Sequence, residues 1–213
     1  MTMVTLDALD LAALLCSRVC HDVISPVGAI VNGLEVLDEE KDESMRGFAQ
    51  DLIRKSAKQA SARLQFARIA FGAAGSAGSA IDTGDAEQVA RGFIQDDKVT
   101  LTWEGPRLLM PKNKVKLLLN LLIVATSTIP RGGQLSAAIE GDAETGRFVI
   151  KTKGINARIP AHVQALIAGE PESGSVDAHG IQPFYTGLIA RAANMTVTMS
   201  LEGDEAVILA ENA

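Results

Sequence analysis

Aromatic side chains and excess positive charge are both scarce in this sequence. Only 4% of the residues are Phe, Trp or Tyr, and 20 Lys and Arg stand against 26 Asp and Glu, giving a formal net charge of −6. A nucleic-acid binder usually carries a basic stripe with interleaved aromatic side chains, and no such stripe is visible. We therefore expect no nucleic-acid partner.

Cysteines, long apolar runs and a secretion signal are also scarce or lacking. Two cysteines predict a reducing, cytoplasmic setting rather than a disulfide framework. The longest apolar runs, such as 117–125, are much shorter than the ~20 residues that cross a bilayer. The first residues lack a basic segment followed by a cleavable apolar core, so we expect no signal peptide and no membrane association. The hydrophobic content of 47% suits a normal core in one or two domains.

Two long stretches, 6–38 and about 44–73, have the spacing of amphipathic helices. Apolar or small residues recur at alternating steps of four and three, which is typical of the seam of a helical bundle. The acidic run 38–43 separates them, so we expect an antiparallel hairpin. A hairpin with two seams cannot enclose a core, and we predict a homodimer through residues 6–73 that forms a four-helix bundle. The first seam consists of Leu9, Ala13, Cys16, Cys20, Val23, Val27, Ile30, Leu34 and Leu37.

The remainder of the chain predicts a second domain of a different class. Residues 72–80 contain only Gly, Ala and Ser, so we divide the chain into a hairpin domain 1–73, a linker 74–80 and a second domain 81–213. Mixed helical and strand patterns after the linker indicate an α/β sandwich with helices on one face of a mixed sheet, and an α+β fold overall. We expect helices at 85–95, 112–128, 160–168 and 180–194, and strands at 99–104, 134–140, 147–153, 196–201 and 206–210.

One stretch of the first helix has residues suited to phosphoryl chemistry. His21 is followed at once by Asp22, and Pro26 comes five residues after the histidine. A neutral imidazole, with an ordinary pKa of ~6.5, has a nitrogen that can attack phosphorus and leave again. The spacing of four, three and four places a small or polar stripe beside the seam. This stripe consists of His21, Ser25, Gly28 and Asn32.

The neighbours of the histidine suggest supporting roles. We expect Asp22 to hold the second ring N–H and fix the tautomer, and Ser25 to hydrogen-bond a phosphoryl oxygen or a water. Arg18, one turn earlier, is placed to offset phosphoryl charge. A glycine at position 28 would permit close approach by a partner backbone. Taken alone, these residues fit an ordinary half-exposed surface histidine beside a harmless kink at least as well.

The remaining histidines and the cysteines suggest no separate chemistry. Cys16 and Cys20 fall on the predicted seam, so we interpret them as small core residues. Together with His21 they would be three metal ligands, but no fourth ligand is near in sequence, and we expect no metal site. His162 and His179 lack acidic residues at catalytic spacing, so we expect them to be structural or on the surface.

The stretch around His21 resembles the H-box of sensor histidine kinases, where an acidic residue follows the phosphoryl-accepting histidine and proline stands at the fifth position. The second domain resembles the ATP-binding domain of these kinases with its nucleotide motifs altered. Asn120–Ala125 resembles the N-box, with Val124 in place of the magnesium-binding Asn. Thr152–Asn156 occupies the place of Asp-x-Gly-x-Gly but lacks the Asp and the second Gly, and the later glycine-rich motif has no counterpart near 179–188. Because a hard cation needs oxygen ligands, the resemblance implies no ATP-dependent kinase activity.

Together these features resemble the ChpT-type histidine phosphotransferases of alphaproteobacteria over nearly the whole chain. The resemblance implies a dimeric relay between a hybrid kinase and response regulators in cell-cycle control, with His21 carrying the phosphoryl group and Asp22 and Ser25 assisting. It implies no cofactor in this chain, since the receiver domain supplies Mg²⁺. Two alternatives stay open: an active kinase with a divergent nucleotide site, and a non-catalytic dimeric adaptor for receivers. Docking is expected on Arg18, Gly28, Asn32, Arg54, Lys55 and Lys58.

Overall fold

Two long helices form an antiparallel hairpin at the start of the chain, α1 over Ala8–Glu39 and α2 over Glu43–Ala70. The structure is a computed structural model and describes residues 3–72 and 80–213. Side-chain oxygens of Asp7 and Asp42 cap the two helices by accepting backbone N–H groups of the first turn. The Arg46 guanidinium donates to two carbonyls at the end of α1, which closes the short connection.

The second part of the chain combines four helices with seven strands over residues 80–213. The predicted helices and strands are present, with ends that differ by one or two residues in most cases. The elements are β1 (Ala80–Asp82), α3 (Thr83–Ile94), β2 (Val99–Glu104), β3 (Leu109–Pro111), α4 (Lys112–Thr128), β4 (Gly133–Glu140), β5 (Arg147–Lys153), α5 (Ala161–Ala168), α6 (Ile181–Ala192), β6 (Met195–Glu202) and β7 (Glu205–Asn212).

Five strands form a mixed sheet in the order β2-β4-β5-β7-β6, in which β2 and β4 are parallel and all other pairs are antiparallel. The helices pack on one face, which confirms the predicted α/β sandwich and the α+β fold class. α4 is buried on nearly every side, including the side chain of Asn120. A separate two-stranded sheet pairs β1 with β3, and the sequence analysis missed both of these strands.

The predicted linker 74–80 lies outside the described residues, except for Ala80, which begins β1. The domain boundaries at 73 and 81 therefore stay a prediction. What the structure does show is how the hairpin and the sheet domain meet. They share hydrophobic contacts at two places, both towards the open end of the hairpin, where α1 begins and α2 ends.

The first shared contact lies at the end of α2. Phe66, Ile69 and Ala70 belong to the same buried cluster as the apolar residues of α4 and the sheet. Phe66 is fully buried and stacks on Phe93 of α3, with ring centroids 4.2 Å apart. At the other contact, three leucines of α1 pack against a second cluster formed by α5 and α6. Those leucines are Leu11, Leu14 and Leu15.

The stripe of α1 that faces α2 differs from the predicted seam. It contains Pro26 and Gly33, the two buried residues of α1. A side chain at Gly33 would bring its Cβ within 2.7 Å of Ile53, so the helices approach closest where α1 has no side chain. The predicted seam lies beside this stripe. Its residues Val23, Ile30 and Leu37 are half-buried, while its other six residues are exposed in the single chain. Cys16 and Cys20 are exposed there, so the prediction that they are core residues is wrong for the single chain.

Exposed apolar side chains on α1 have a second consequence. By length and composition alone, α1 is long and apolar enough to cross a membrane, although its most apolar window is hardly buried within the chain. Uninterrupted apolar runs in the sequence do not reveal this, because polar residues interrupt the apolar stretches of α1. Helices of soluble proteins pass the same test of length and composition. Arg18, His21 and Asp22 also lie near the middle of the helix, where a bilayer would penalise charge.

Candidate functional site

His21 lies near the middle of α1, and its side chain is 83% exposed. The helix continues without interruption through Pro26, which is buried. The proline therefore does not end the helix, and the imidazole stands on a regular helical surface. It is accessible to another protein.

The Asp22 carboxylate lies between two nitrogen-bearing side chains. Its Oδ2 accepts a hydrogen bond from Nε of Arg18 at 3.2 Å, and its Oδ1 lies 3.7 Å from Nδ1 of His21. The latter distance is too long for a hydrogen bond, because successive side chains on a helix point roughly 100° apart. The expected hydrogen bond from the ring to Asp22 is therefore not formed. Asp22 therefore places a carboxylate near the imidazole without a direct hydrogen bond to it.

The stripe beyond His21 is open. Ser25 and Asn32 are exposed, and a Cβ added to Gly28 would have no atom within 4 Å. These positions form one accessible surface along α1, as the spacing predicted. Docking of a receiver on these residues stays a prediction, and their exposure is compatible with it.

The basic residues of α2 lie farther from the histidine than the sequence suggested. Gly33 packs against Ile53, while the backbone of Asp22 meets Arg63. The antiparallel pairing therefore places the segment 54–58 level with residues 27–31 of α1, about two turns from His21. Arg54 pairs with Asp51 at 3.0 Å and Lys55 lies 3.9 Å from Asp97, while Lys58 is exposed.

One residue at the site was not singled out from the sequence. Arg63 of α2 is half-buried and donates from Nη1 to the backbone carbonyl of Asp22. The signal that could have identified it is Pro26. A proline deprives the carbonyl four residues earlier of its helical N–H donor, so a donor from elsewhere was to be expected near Asp22.

The other histidines form no second site of the same kind. His162 and His179 line a cavity of about 400 Å³ between α5 and the loop before α6. Within the ranges 3–72 and 80–213, no group of three or more His, Cys, Asp and Glu side chains could hold a metal ion. Cys16, Cys20 and His21 form no such group either, so the metal alternative has no support in the described part of the chain.

Two residues at positions that the resemblance assigns to nucleotide binding are part of the core. Val124 and Thr152 are 3% and 1% exposed. The Thr152 hydroxyl pairs with the hydroxyl of Thr128 and lies 3.4 Å from the carbonyl of Ala206. The hydroxyl is therefore buried and paired inside the chain, and a threonine has no carboxylate that could accept from an adenine amino group.

Asn120, the first residue of the N-box-like stretch, ties α4 to the hairpin. Its Nδ2 donates to the carbonyl of Ala70 at 3.0 Å, and its Oδ1 accepts from Gln182 at 2.7 Å. Nearby, Tyr185 packs on Phe71 with ring centroids 5.8 Å apart, and burial raises the pKa of Tyr185. The end of α2 thus packs on α4, the helix with the N-box-like stretch, and the next residue, Phe71, packs on α6.

Comparison with known proteins adds a family to this geometry. Residues 83–205 match the family model described as "Histidine phosphotransferase C-terminal domain". The protein phosphotransferase ChpT of Brucella abortus (strain 2308) is 54% identical over 209 residues, which are 98% of each chain. This chain belongs to the ChpT family of histidine phosphotransferases.

A solved structure shows that the similarity extends over nearly the whole chain. A bacterial phosphotransferase superposes with a TM-score of 0.89 and 51% identity, covering 99% of this chain and 100% of the other. The family model covers the sheet domain, while the two long alignments also include the hairpin with His21. The predicted family is therefore confirmed.

Proposed function

We propose that this histidine phosphotransferase carries a phosphoryl group on His21, between the receiver-domain aspartate of a hybrid kinase and that of a response regulator, in the cytoplasm and without ATP. The observation that carries the proposal is the 83% exposed imidazole beside the Asp22 carboxylate, in a member of a phosphotransferase family. Such a histidine can reach a pocket on another protein. It has no evident structural role in its own chain.

The first transfer moves phosphorus from oxygen to nitrogen. Nδ1 of His21 is the ring nitrogen nearest Asp22, so we assign the attack to Nε2. The Nε2–P bond forms as the P–O bond to the receiver aspartate breaks, and that aspartate leaves as a carboxylate. The ring becomes positively charged during the attack, and the Asp22 carboxylate stabilises this charge. The second transfer is the reverse reaction with another receiver.

The rest of the chain's contribution is positioning. Ser25 lies one turn beyond His21 and is placed to donate to a phosphoryl oxygen. Arg18 is hydrogen-bonded to Asp22, so its positive charge offsets phosphoryl charge as part of the Arg18–Asp22 pair. Phosphoryl transfer depends mainly on alignment and charge neutralisation, and the receiver brings Mg²⁺ with its own acidic residues. The exposed stripe of Gly28 and Asn32, with Arg54, Lys55 and Lys58, is the docking surface we propose.

The condition "without ATP" is supported by the core positions of Val124 and Thr152. A valine offers no oxygen to Mg²⁺, and the threonine hydroxyl is already paired. Both positions therefore lack the oxygen groups that the kinase motifs contribute to a nucleotide site.

The direct test compares two phosphoryl donors. The protein is incubated with labelled Mg-ATP alone, or with a panel of receiver domains labelled on their aspartates. We expect acid-labile label on this protein only with receivers, and release of that label to a second receiver. Label from ATP alone would favour the kinase alternative, whereas binding of receivers without label would favour the adaptor alternative.

Self-association is part of the proposal. Apolar side chains that are 43–70% exposed follow one side of the hairpin, beside the stripe that joins α1 to α2. A second copy would cover them in a four-helix bundle, which removes this apolar area from water. The residues are Ile24, Val27, Val31, Leu34, Phe48, Leu52 and Leu64.

The substitution Leu34→Glu tests this dimer. Leu34 is 49% exposed in the single chain, and a two-fold interface would place it there twice. Losing apolar burial and burying two carboxylates should weaken association by ~100-fold or more. Sedimentation equilibrium measures the change, with Leu109→Glu as the matched control, because Leu109 is 68% exposed but lies on β3. If the two variants sediment alike, the hairpin is not the dimer interface.

Gly28→Ala separates docking from helix stability. Gly28 and Gly47 both lie inside a helix, and an added Cβ would have nothing within 4 Å at either position. Each alanine should raise the free energy of unfolding by roughly 0.5–1 kcal/mol. We expect only Gly28→Ala to slow transfer, by raising the receiver concentration needed for half-maximal rate. Equal rates for the two variants would remove Gly28 from the docking surface.

A further inference from the structure

The backbone carbonyl of Asp22 lacks its normal helical partner. In an α-helix, this carbonyl would accept the N–H of the residue at position 26. That residue is Pro26, which has no N–H, yet α1 continues through it. The unpaired carbonyl belongs to the residue directly after His21, so any loosening at this point acts on the turn that carries the imidazole.

A donor from the other helix satisfies that carbonyl. Nη1 of Arg63 in α2 donates to the carbonyl oxygen of Asp22, 41 positions apart in the chain. Arg63 is half-buried, and it forms no ion pair with any carboxylate in the described ranges. A guanidinium can donate hydrogen bonds but cannot accept them, so it suits a backbone carbonyl that has lost its donor. The contact therefore replaces the missing backbone hydrogen bond with a side chain of the neighbouring helix.

Asp22 is then held at both of its polar groups. Arg18 binds its carboxylate from the same helix, and Arg63 binds its carbonyl from the opposite helix. His21 itself is 83% exposed and has no packing contact that fixes its orientation. An exposed side chain can be oriented only through its own backbone, so the rigidity of this turn decides where the imidazole points.

We infer that Arg63 is a positioning residue for phosphoryl transfer, holding the backbone of the His21 turn where Pro26 interrupts the helical hydrogen bonds. The inference rests on the proposed role of His21. Pro26 removes one N–H donor from the helical hydrogen-bond pattern, and Arg63 replaces that donor from α2. A turn held in this way keeps the nucleophile aligned without using the face on which a receiver docks.

The effect of Arg63→Ala should depend on whether position 26 is a proline. Arg63→Ala should lower the single-turnover transfer rate at saturating phosphorylated receiver by about tenfold, with the half-saturating receiver concentration unchanged. Pro26→Ala restores an N–H to position 26, which can bond to Asp22 from within the helix. In that background, adding Arg63→Ala should change the rate by less than about twofold. This loss of effect is the coupling that a double-mutant cycle measures.

Controls separate positioning from folding and docking. Arg68→Ala removes another arginine of α2 that is exposed, and should leave the rate unchanged. Arg63→Lys keeps a donor and should retain most of the rate. Circular dichroism confirms that each variant is folded at the assay temperature, and hydrogen exchange at residues 23–25 should quicken in Arg63→Ala but not in the double variant.

Each other outcome overturns a specific claim. If Arg63→Ala slows transfer equally in the Pro26 protein and in the Pro26→Ala variant, Arg63 does not act through the Asp22 carbonyl. If only the half-saturating concentration rises, Arg63 is a docking residue. If the unaltered protein accepts no label from any receiver, the proposed function fails instead, and the cycle is read by hydrogen exchange alone, which still reports whether Arg63 holds the turn.

Discussion

His21→Ala abolishes acceptance of label from a phosphorylated receiver; this is the largest effect we expect from any single substitution. The imidazole is the only group of the proposed mechanism that forms a bond to phosphorus, and alanine leaves no nucleophile at that position. Rates should fall below detection, at least ~10³-fold. The measurement is label on the protein after incubation with an aspartyl-phosphorylated receiver, resolved by gel under alkaline conditions that preserve phosphohistidine.

The matched control for this variant is His162→Ala. His162 is on α5 and lines a separate cavity, so its loss should leave transfer unchanged. Because the His21 side chain is exposed, His21→Ala should also melt at nearly the same temperature as the unaltered protein. Retained transfer in a folded His21→Ala variant would exclude this histidine as the phosphoryl carrier. The label would then have to be located on another residue.

Gly187→Ala unfolds the protein at a markedly lower temperature. An added Cβ at position 187 of α6 would lie 1.9 Å from the carbonyl oxygen of Ile167 and 2.8 Å from its carbon. Both obstacles are backbone atoms of α5, so no side-chain rotation relieves the collision. The two helices must separate, and we expect a loss of roughly 3 kcal/mol or more. For a chain of this length, that corresponds to a melting temperature lower by roughly 6–12 °C.

A thermal scan with Gly47→Ala as control makes this result specific. Both substitutions replace glycine by alanine inside a helix, but position 47 is open. Gly47→Ala should therefore stabilise the protein slightly, while Gly187→Ala destabilises it. Equal melting temperatures would mean that α5 and α6 are not in backbone contact at Ile167. The intrinsic preference of helices for alanine opposes the expected effect, so it cannot account for a loss.

Most of the secondary structure could be predicted because its residues have a regular period. α4 and β2 begin and end where the pattern predicted, at 112–128 and 99–104. β1 and β3 were missed, since a strand of three residues is too short to show alternation. Strand order in the sheet could not be obtained either, because it depends on contacts between segments far apart in the chain.

The site was partly predictable for the same reason. Spacing alone placed His21, Ser25, Gly28 and Asn32 on one surface, and the structure keeps them there. Periodicity could not decide which of two adjacent apolar stripes meets α2, because both have the same spacing. The absence of a side chain at Gly33 decides it, and this leaves the cysteines exposed. Arg63 lies 41 residues beyond Asp22, so only the packed hairpin brings them together.

The cluster that joins Phe66 and Ile69 of α2 to α4 and the sheet has a thermodynamic consequence. Elements that share buried side chains open together, so the end of the hairpin and the sheet domain should melt as one cooperative unit. The helix that carries His21 gains its resistance to local opening partly from this cluster, since α1 packs on α2. The sheet domain therefore contributes folding free energy to the hairpin that carries His21.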